Sequence, residues 1–205
     1  MLYIIGTGAL ARNIADTVKA LRKKFSFVTN VEEELNQNIY MGVSAIAENS
    51  IPHGSSFILG MGNPILRRKV AAQFPLLNPI TIIHPSVLLM GEEIEIGEGT
   101  FLAANSVLTN RVSIGKHCIV NLASTIEHNS EIGDFCEISP GCHLNGYTKF
   151  HHGVSCGSGV ITIPHAEVGS WSILGAGAVV KGKIPESSVA VGVPAKVIKA
   201  ISLED

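Results

Sequence analysis

The chain has 205 residues, a net charge of −2 and an isoelectric point near 6.4. No basic block marks a surface for nucleic acid or an anionic membrane, and no apolar run reaches the roughly 18 residues of a membrane span, so membrane insertion is not expected. The opening residues lack the charged region and cleavage site of a signal peptide, and the four cysteines fall in slots suited to small core residues, so a reduced, cytoplasmic protein is expected.

Residues 1–8 read as a buried strand running into a glycine turn. A helix follows from Ala9 to about Lys24, with Leu10, Ile14, Ala15, Val18 and Leu21 on one face. Ser26 to Thr29 reads as a second strand. Residues 30–55 are mixed, and Glu32-Glu33-Glu34 reads as a solvated face. Phe57 to Gly60 is a third strand, followed by Gly62-Asn63-Pro64 and a helix from Ile65 to Phe74, with proline placed to start it. Residues 1–80 therefore form a small βαβ, Rossmann-like domain with a parallel sheet. Its opening turn, Gly6-Thr7-Gly8-Ala9-Leu10-Ala11, has the G-x-G-x-x-A spacing that brings backbone N–H groups to a phosphate. The pattern alone leaves three readings open: a nucleotide portion of a substrate, NAD(P), or a tight structural turn. No acidic residue stands at the end of the second strand, where Thr29 and Asn30 lie.

From near His84 to Pro185 an apolar residue recurs every sixth position: Met90, Ile96, Leu102, Leu108, Ile114 and on to Val180. Four places after each comes a mostly small residue, such as Ser106, Cys118, Ser124, Cys136, Cys142 and Ala178. A period of six fits neither a helix nor a plain strand. It marks a hexapeptide parallel β-helix over 81–186, in which stacked coils bury one continuous core. With three hexapeptides per coil, residues about 18 apart become vertical neighbours, and the register is expected to run unbroken. Residues 187–205 should cap the open end. The mean hydropathy of +0.33 is high for a soluble monomer and points to surface buried between subunits.

Such a scaffold places its chemistry on outward polar groups. His128 sits two places after the inward Ile126, beside a corner, and imidazole can act as a general base near neutral pH. Of the eight histidines no three converge in the coil register, so no metal site is expected, and His151-His152 reads as a surface pair.

Residues 121–141, Asn-Leu-Ala-Ser-Thr-Ile-Glu-His-Asn-Ser-Glu-Ile-Gly-Asp-Phe-Cys-Glu-Ile-Ser-Pro-Gly, resemble the hexapeptide-repeat sugar acetyltransferases. That family includes sialic acid O-acetyltransferases and the bacillosamine- and perosamine-type nucleotide-amino-sugar N-acetyltransferases. The Gly-Thr-Gly turn, Gly62-Asn63-Pro64, His84-Pro85-Ser86, Gly175 to Val180 and Gly192-Val193-Pro194-Ala195-Lys196 carry the likeness over nearly the whole chain. The resemblance implies a left-handed β-helix, a homotrimer with active sites between subunits, and acetyl-CoA as cosubstrate. It implies N-acetylation of a nucleotide-linked 4-amino-deoxy sugar for surface polysaccharide or glycan synthesis. The alternatives are O-acetylation of sialic acid and a non-catalytic trimeric binding module. By residue, it implies His128 as base and Gly146 as oxyanion donor. It implies cofactor contacts at Gly146, Gly157, Ser158, Gly175 and Ala176, and nucleotide-sugar contacts at Gly6, Thr7, Gly8, Ala9, Leu10, Gly62 and Asn63. Members often carry an acidic residue where Asn129 stands to orient the histidine; here Glu127 or a neighbouring subunit could take that role.

Overall fold

The computed structural model describes residues 1–202, so the last three residues of the expected 187–205 cap lie outside the described residues. The chain begins with strand β1 (Leu2–Ile5), all four residues of which are buried. Helix α1 (Ala9–Ala20) and strand β2 (Phe25–Thr29) follow. The mixed stretch contains two strands the pattern did not reveal, β3 (Asn38–Tyr40) and β4 (Val43–Ala47). Strand β5 (Ser56–Leu59), helix α2 (Pro64–Ala71) and the short β6 (Asn78–Pro79) complete a six-stranded sheet of order β3-β4-β2-β1-β5-β6. Only the β3–β4 pairing is antiparallel. Both helices stop earlier than expected; the left-handed Arg22 (φ 55°) turns the chain after α1.

Alternation along the strands sorts the core into two layers. Leu2, Ile4, Phe27 and Ile58 face α1, while Tyr3, Ile5, Val28, Phe57 and Leu59 face Val70, Ala71 and Phe74 at α2. Because both sheet faces are covered, the strands read as continuous apolar runs.

The second body is a parallel β-solenoid. Its strands, two residues long except for the last two of the chain, stack in three faces carrying eight, six and six strands. Face one contains Phe101–Leu102, Ile119–Val120, Glu137–Ile138 and Ser155–Cys156. Face two contains Val107–Leu108, Thr125–Ile126, His143–Leu144 and Ile161–Thr162. Face three contains Ser113–Ile114, Glu131–Ile132, Lys149–Phe150 and Glu167–Val168. The inward residues from Leu102 to Val180 are buried, as is every small corner residue from Thr100 to Ala178. The corner hydroxyls and thiols avoid a desolvation cost by donating to carbonyls of the next coil: Ser124 to Ser139 at 3.0 Å, Cys118 to Gly133 at 3.0 Å and Cys136 to His151 at 3.1 Å. This is why polar residues as well as alanine suit that slot. All four cysteines are buried and free, and burial pushes the Cys156 thiol well above its usual value.

The expected unbroken register holds from Ile96 to Val180 and fails at both ends. Leu102 pairs with Val120, and Ile96 with Ile114, at a spacing of 18. In the first coil Ile83 pairs with Leu102 and Leu89 with Leu108, a spacing of 19. One extra residue therefore enters between Leu89 and Ile96, where Gly91 (φ 106°) and Glu93 (φ 57°) turn the chain. Leu89, not Met90, takes the inward register, and Met90 is exposed. At the other end Val168 pairs with Ile184, a spacing of 16, so the last turn is two residues short. Strands Ser188–Val191 and Lys196–Ala200 then form an antiparallel hairpin that sets Ala190 and Ala195 against the core.

The α/β body docks on face one. Ile14, Ala15 and Val18 of α1 share an apolar cluster with Ile82, Phe101 and Ile119. Burying each large side chain there contributes about 1.5–3 kcal/mol. Arg67 of α2 is 1% exposed and reaches into the corner between faces three and one. Its guanidinium donates to the carbonyls of Met61, Gly62, His117, Phe135 and Cys136. Beside it, Arg68 lies over the Trp171 ring at 4.4 Å.

Candidate active site

His128 projects from the corner between faces two and three. Its ring lies directly over Gly146, one coil away: a Cβ on Gly146 would fall 2.6 Å from His128 Cε1 and 2.8 Å from Nε2. The sequence thus needs glycine at 146 for the imidazole to rest on the backbone. The Gly146 N–H has no acceptor among the described residues, while its carbonyl accepts from His165 N at 3.1 Å. His128 Nδ1 lies 3.1 Å from Asn129 Oδ1. An Nδ1–H donated to that amide oxygen leaves the Nε2 lone pair free as a proton acceptor. Asn129 sits at φ 59°, a left-handed corner position that asparagine tolerates well. One residue thus both turns the corner and holds the ring. Glu127 makes no hydrogen bond to His128.

One neighbour escaped the sequence reading. Tyr147 meets His128 edge to face, with centroids 5.4 Å apart, and stacks on His165 at 4.7 Å. Asn129, Tyr147 and His165 lie one above another in the coil register, a column of polar and aromatic residues that the repeat makes visible. Below His128 opens a groove of about 510 Å³ lined by Glu92, Glu93, Asn110, Arg111 and Asn129.

The other expected site residues form two separate groups. Gly157, Ser158, Gly175 and Ala176 come together on the corner between faces one and two, where a Cβ on Gly157 would fall 2.5 Å from Ala176 N. The amides of Gly157 and Gly175 are committed to Leu174 and Ala190, which leaves those of Ser158 and Ala176 open. Gly6 and the stretch from Gly60 to Asn63 meet at the carboxyl ends of β1 and β5, with Gly6 (φ 106°) 3.5 Å from Gly60 O for a built Cβ. Gly8 begins α1 without a side-chain cap, Ala9 is exposed at its first turn, and the Leu10 side chain packs on the apolar core. The Asn63 carboxamide is committed to capping α2, accepting from Ile65 N and Leu66 N at 2.9 and 3.0 Å.

The acidic run is not wholly a solvated face. Glu32 and Glu33 are exposed, but Glu34 Oε2 accepts from Thr7 Oγ1 at 2.8 Å and Thr29 Oγ1 at 2.7 Å. At the foot of the docking cleft, burial raises the Glu137 carboxyl above the usual range, opposed by Arg67 and the Ser155 hydroxyl. Among the described residues no three His, Cys, Asp or Glu side chains converge as metal ligands; His151 instead pairs with Glu167 at 3.1 Å. No helix among them is long and apolar enough to cross a membrane.

These features define a hexapeptide-repeat protein with an α/β unit docked on its first face. The model of the PglD N-terminal domain matches residues 1–74. The chain is 29% identical over 107 residues to the GDP-perosamine N-acetyltransferase of Escherichia coli O157:H7, covering 51% of this chain and 48% of that relative. The match thus spans about half the relative's length. Among solved structures, PerB from Caulobacter crescentus, crystallised with CoA and GDP-perosamine, superposes with a TM-score of 0.87 at 25% identity over 97% of each chain. The acetyltransferase domain of PglB from Neisseria gonorrhoeae FA1090 gives 0.87 at 28% identity over 96% of this chain and 98% of that one. Over nearly its whole length the chain is similar to these sugar acetyltransferases.

Proposed function

We propose that this protein is an acetyl-CoA-dependent N-acetyltransferase that acts on the amine of a nucleotide-linked 4-amino-deoxy sugar. The observation that carries the reading is the His128–Gly146 pair, a free Nε2 beside an unpaired backbone N–H. The substrate amine attacks the thioester carbonyl carbon. His128 Nε2 takes the proton released by the amine, and the Gly146 N–H donates to the oxyanion. Collapse of the tetrahedral intermediate breaks the C–S bond, and the departing CoA thiolate recovers the proton. No acyl-enzyme is required, because every cysteine is buried in the core. The crystallised complex of PerB with CoA and GDP-perosamine supports the substrate class.

In this reading residues 1–80 are a Rossmann-like unit that holds the nucleotide, 81–186 a left-handed β-helix, and 187–205 the cap. The protein works as a homotrimer. One chain spreads its three groups of site residues over three different regions: His128 on one edge, the Ser158–Ala176 amides on another, and the glycine turns at the docked face. Only a neighbouring copy can supply the missing groups. Face two is suited to that contact. Its outward residues Val107, Thr125, His143, Ile161 and Val179 carry no carboxylate or ammonium, whereas face three bears the ion pairs Lys149–Glu131 and Lys183–Glu167 at 3.0 and 2.7 Å. Sedimentation is expected to give the mass of three chains; a monomer would remove the shared site.

The test of function is thiol release from acetyl-CoA with UDP-, dTDP- and GDP-linked 4-amino sugars beside free sialic acid. Turnover with one nucleotide-linked amine is expected. Turnover with sialic acid alone would shift the assignment to O-acetylation, and no turnover with any acceptor would favour a binding module.

A further inference from the structure

The geometry points to Tyr147 as a positioning residue for the reaction: its ring holds the His128 imidazole over the Gly146 amide, and His165 holds that ring in turn. This inference rests on the acetyl-transfer reading above and deepens it.

Residues in the left-handed region turn the corners of the solenoid and stack in columns, one coil apart. That backbone favours glycine and asparagine and disfavours a large side chain. The corner between faces one and two follows the rule, with Asn105, Ala123, Gly141, Gly159 and Gly177. At the corner between faces three and one, His117, Phe135 and Trp171 depart from it. Helix α2 accounts for that departure: Arg67 donates to the carbonyls of His117 and Phe135, and Arg68 lies over the Trp171 ring. Beside His128 the column runs Arg111, Asn129, Tyr147 and His165, with φ from 55° to 65°. Tyr147 is 48% exposed and His165 is exposed too, so burial does little to offset their strained backbone. What Tyr147 has instead is a contact with the base.

His128 is exposed, and its one polar side-chain partner is the neutral Asn129 Oδ1, 3.1 Å from Nδ1. An uncharged amide oxygen holds a donor less firmly than a carboxylate does. One hydrogen bond from the adjacent residue also leaves the ring free to swing about it. The Tyr147 ring closes that freedom. It meets the imidazole at 90° with centroids 5.4 Å apart, an arrangement that aromatic pairs favour. Its backbone is tied to the same residue, Tyr147 N donating to His128 O at 2.9 Å. His165 then lies almost parallel to the tyrosyl ring, at 13° and 4.7 Å, and its own N–H donates to Gly146 O at 3.1 Å. The three rings thus form a series anchored on His128 and Gly146, the two residues that act on one carbon. While the Nδ1 proton stays on Asn129, the Nε2 lone pair keeps its direction. A base that drifts from its line of attack loses rate even where binding is untouched.

The experiment compares Tyr147→Asn, Tyr147→Phe and His165→Asn with the wild type in steady-state kinetics with acetyl-CoA and the nucleotide-linked amine. Nitrogen NMR of histidine-labelled protein runs beside it, the His128 signals being those lost in His128→Ala. Tyr147→Asn removes the ring and puts at the corner a residue that suits it. Its kcat is expected to fall about 3–10-fold, the value of one aromatic pair, with KM for both substrates unchanged and a melting temperature at or above that of the wild type. Tyr147→Phe keeps the ring and should keep kcat within about twofold. His128 in the wild type should show a protonated Nδ1 and a bare Nε2, and Tyr147→Asn should move it toward the mixed tautomers of a free imidazole. His165→Asn should lower kcat in the same direction and by no more than Tyr147→Asn. An unchanged kcat or an unchanged tautomer in Tyr147→Asn overturns the assignment. So does a raised KM at constant kcat, since the ring then touches a substrate, and so does an equal loss in Tyr147→Phe, since the hydroxyl then acts. A melting temperature lowered in step with kcat would reduce Tyr147 to a structural residue. If the wild type turns over no acceptor, the acetyl-transfer reading itself fails and this role with it; every other outcome is read against an active wild type.

Discussion

His128→Ala is expected to lower the turnover of acetyl-CoA and the amino-sugar acceptor by about 10²–10⁴-fold, the range for loss of a general base. The effect should fall on kcat rather than KM. The imidazole is exposed and touches the reacting proton, whereas binding rests on other edges of the molecule. Thermal stability should change little, because the ring fills no core slot. Gly146→Ala tests the same geometry from the other side. Its new methyl would fall 2.6 Å from His128 Cε1, so the ring must leave its place over the amide. A loss comparable to that of His128→Ala is expected, since base and oxyanion donor act on one carbon. Single-turnover kinetics with both variants decide the matter. A His128→Ala enzyme within about threefold of wild type would remove the base from the mechanism, because proton transfer then contributes far less than general-base catalysis requires.

Much of this site was legible because a solenoid turns sequence spacing into geometry. Once the period of six is seen, His128 and Gly146 must be vertical neighbours, and the separation of that pair from the group at Gly157, Ser158, Gly175 and Ala176 follows from their columns. The reading failed where that rule weakens. In the end coils an inward slot is covered from one side only, so burial no longer enforces the register. Leu89 and Met90 are both exposed, and composition cannot tell which of them faces in. Glu34 was hidden for another reason. A run of three glutamates looks solvated, and the partners that single out the third, Thr7 in the turn after β1 and Thr29 at the end of β2, come together only when β1 pairs with β2. The β3–β4 hairpin at the sheet edge was missed because its strands are short and only Ala45 is fully buried. Arg67 left no local mark at all: in sequence it is one of two arginines in a helix, and three of its five acceptors lie in the solenoid.

Arg67→Met should therefore destabilise the protein more than any substitution on the solenoid surface, by about 3–5 kcal/mol as for breaking a buried charged network. Methionine keeps much of the apolar stem but leaves five carbonyls facing a group that cannot donate. Against a typical total of about 5–15 kcal/mol, that loss is large. Lysine is no remedy, since three donors on one nitrogen cannot span carbonyls arranged around a planar fork. Hydrogen exchange should show β1 to α2 losing protection first, with the central coils still protected. The same seam carries a pH dependence. His117, 8% exposed, is stacked on Phe135 with centroids 5.3 Å apart. Burial lowers its pKa from the usual 6.5, with Arg67 and Lys116 acting the same way and Glu98 and Asp134 opposing. The unfolded chain thus binds this proton more readily than the folded one. The stability His117 contributes is complete above the ordinary value of 6.5 and is lost as pH falls from there through the lowered value. Denaturation midpoints followed from pH 8 to 5 should decline on the acid side, and His117→Asn, which suits the left-handed backbone there (φ 52°), should flatten that decline. If Arg67→Met costs less than about 1 kcal/mol, the α/β unit is held by its apolar contacts with face one, and the guanidinium merely fills the corner.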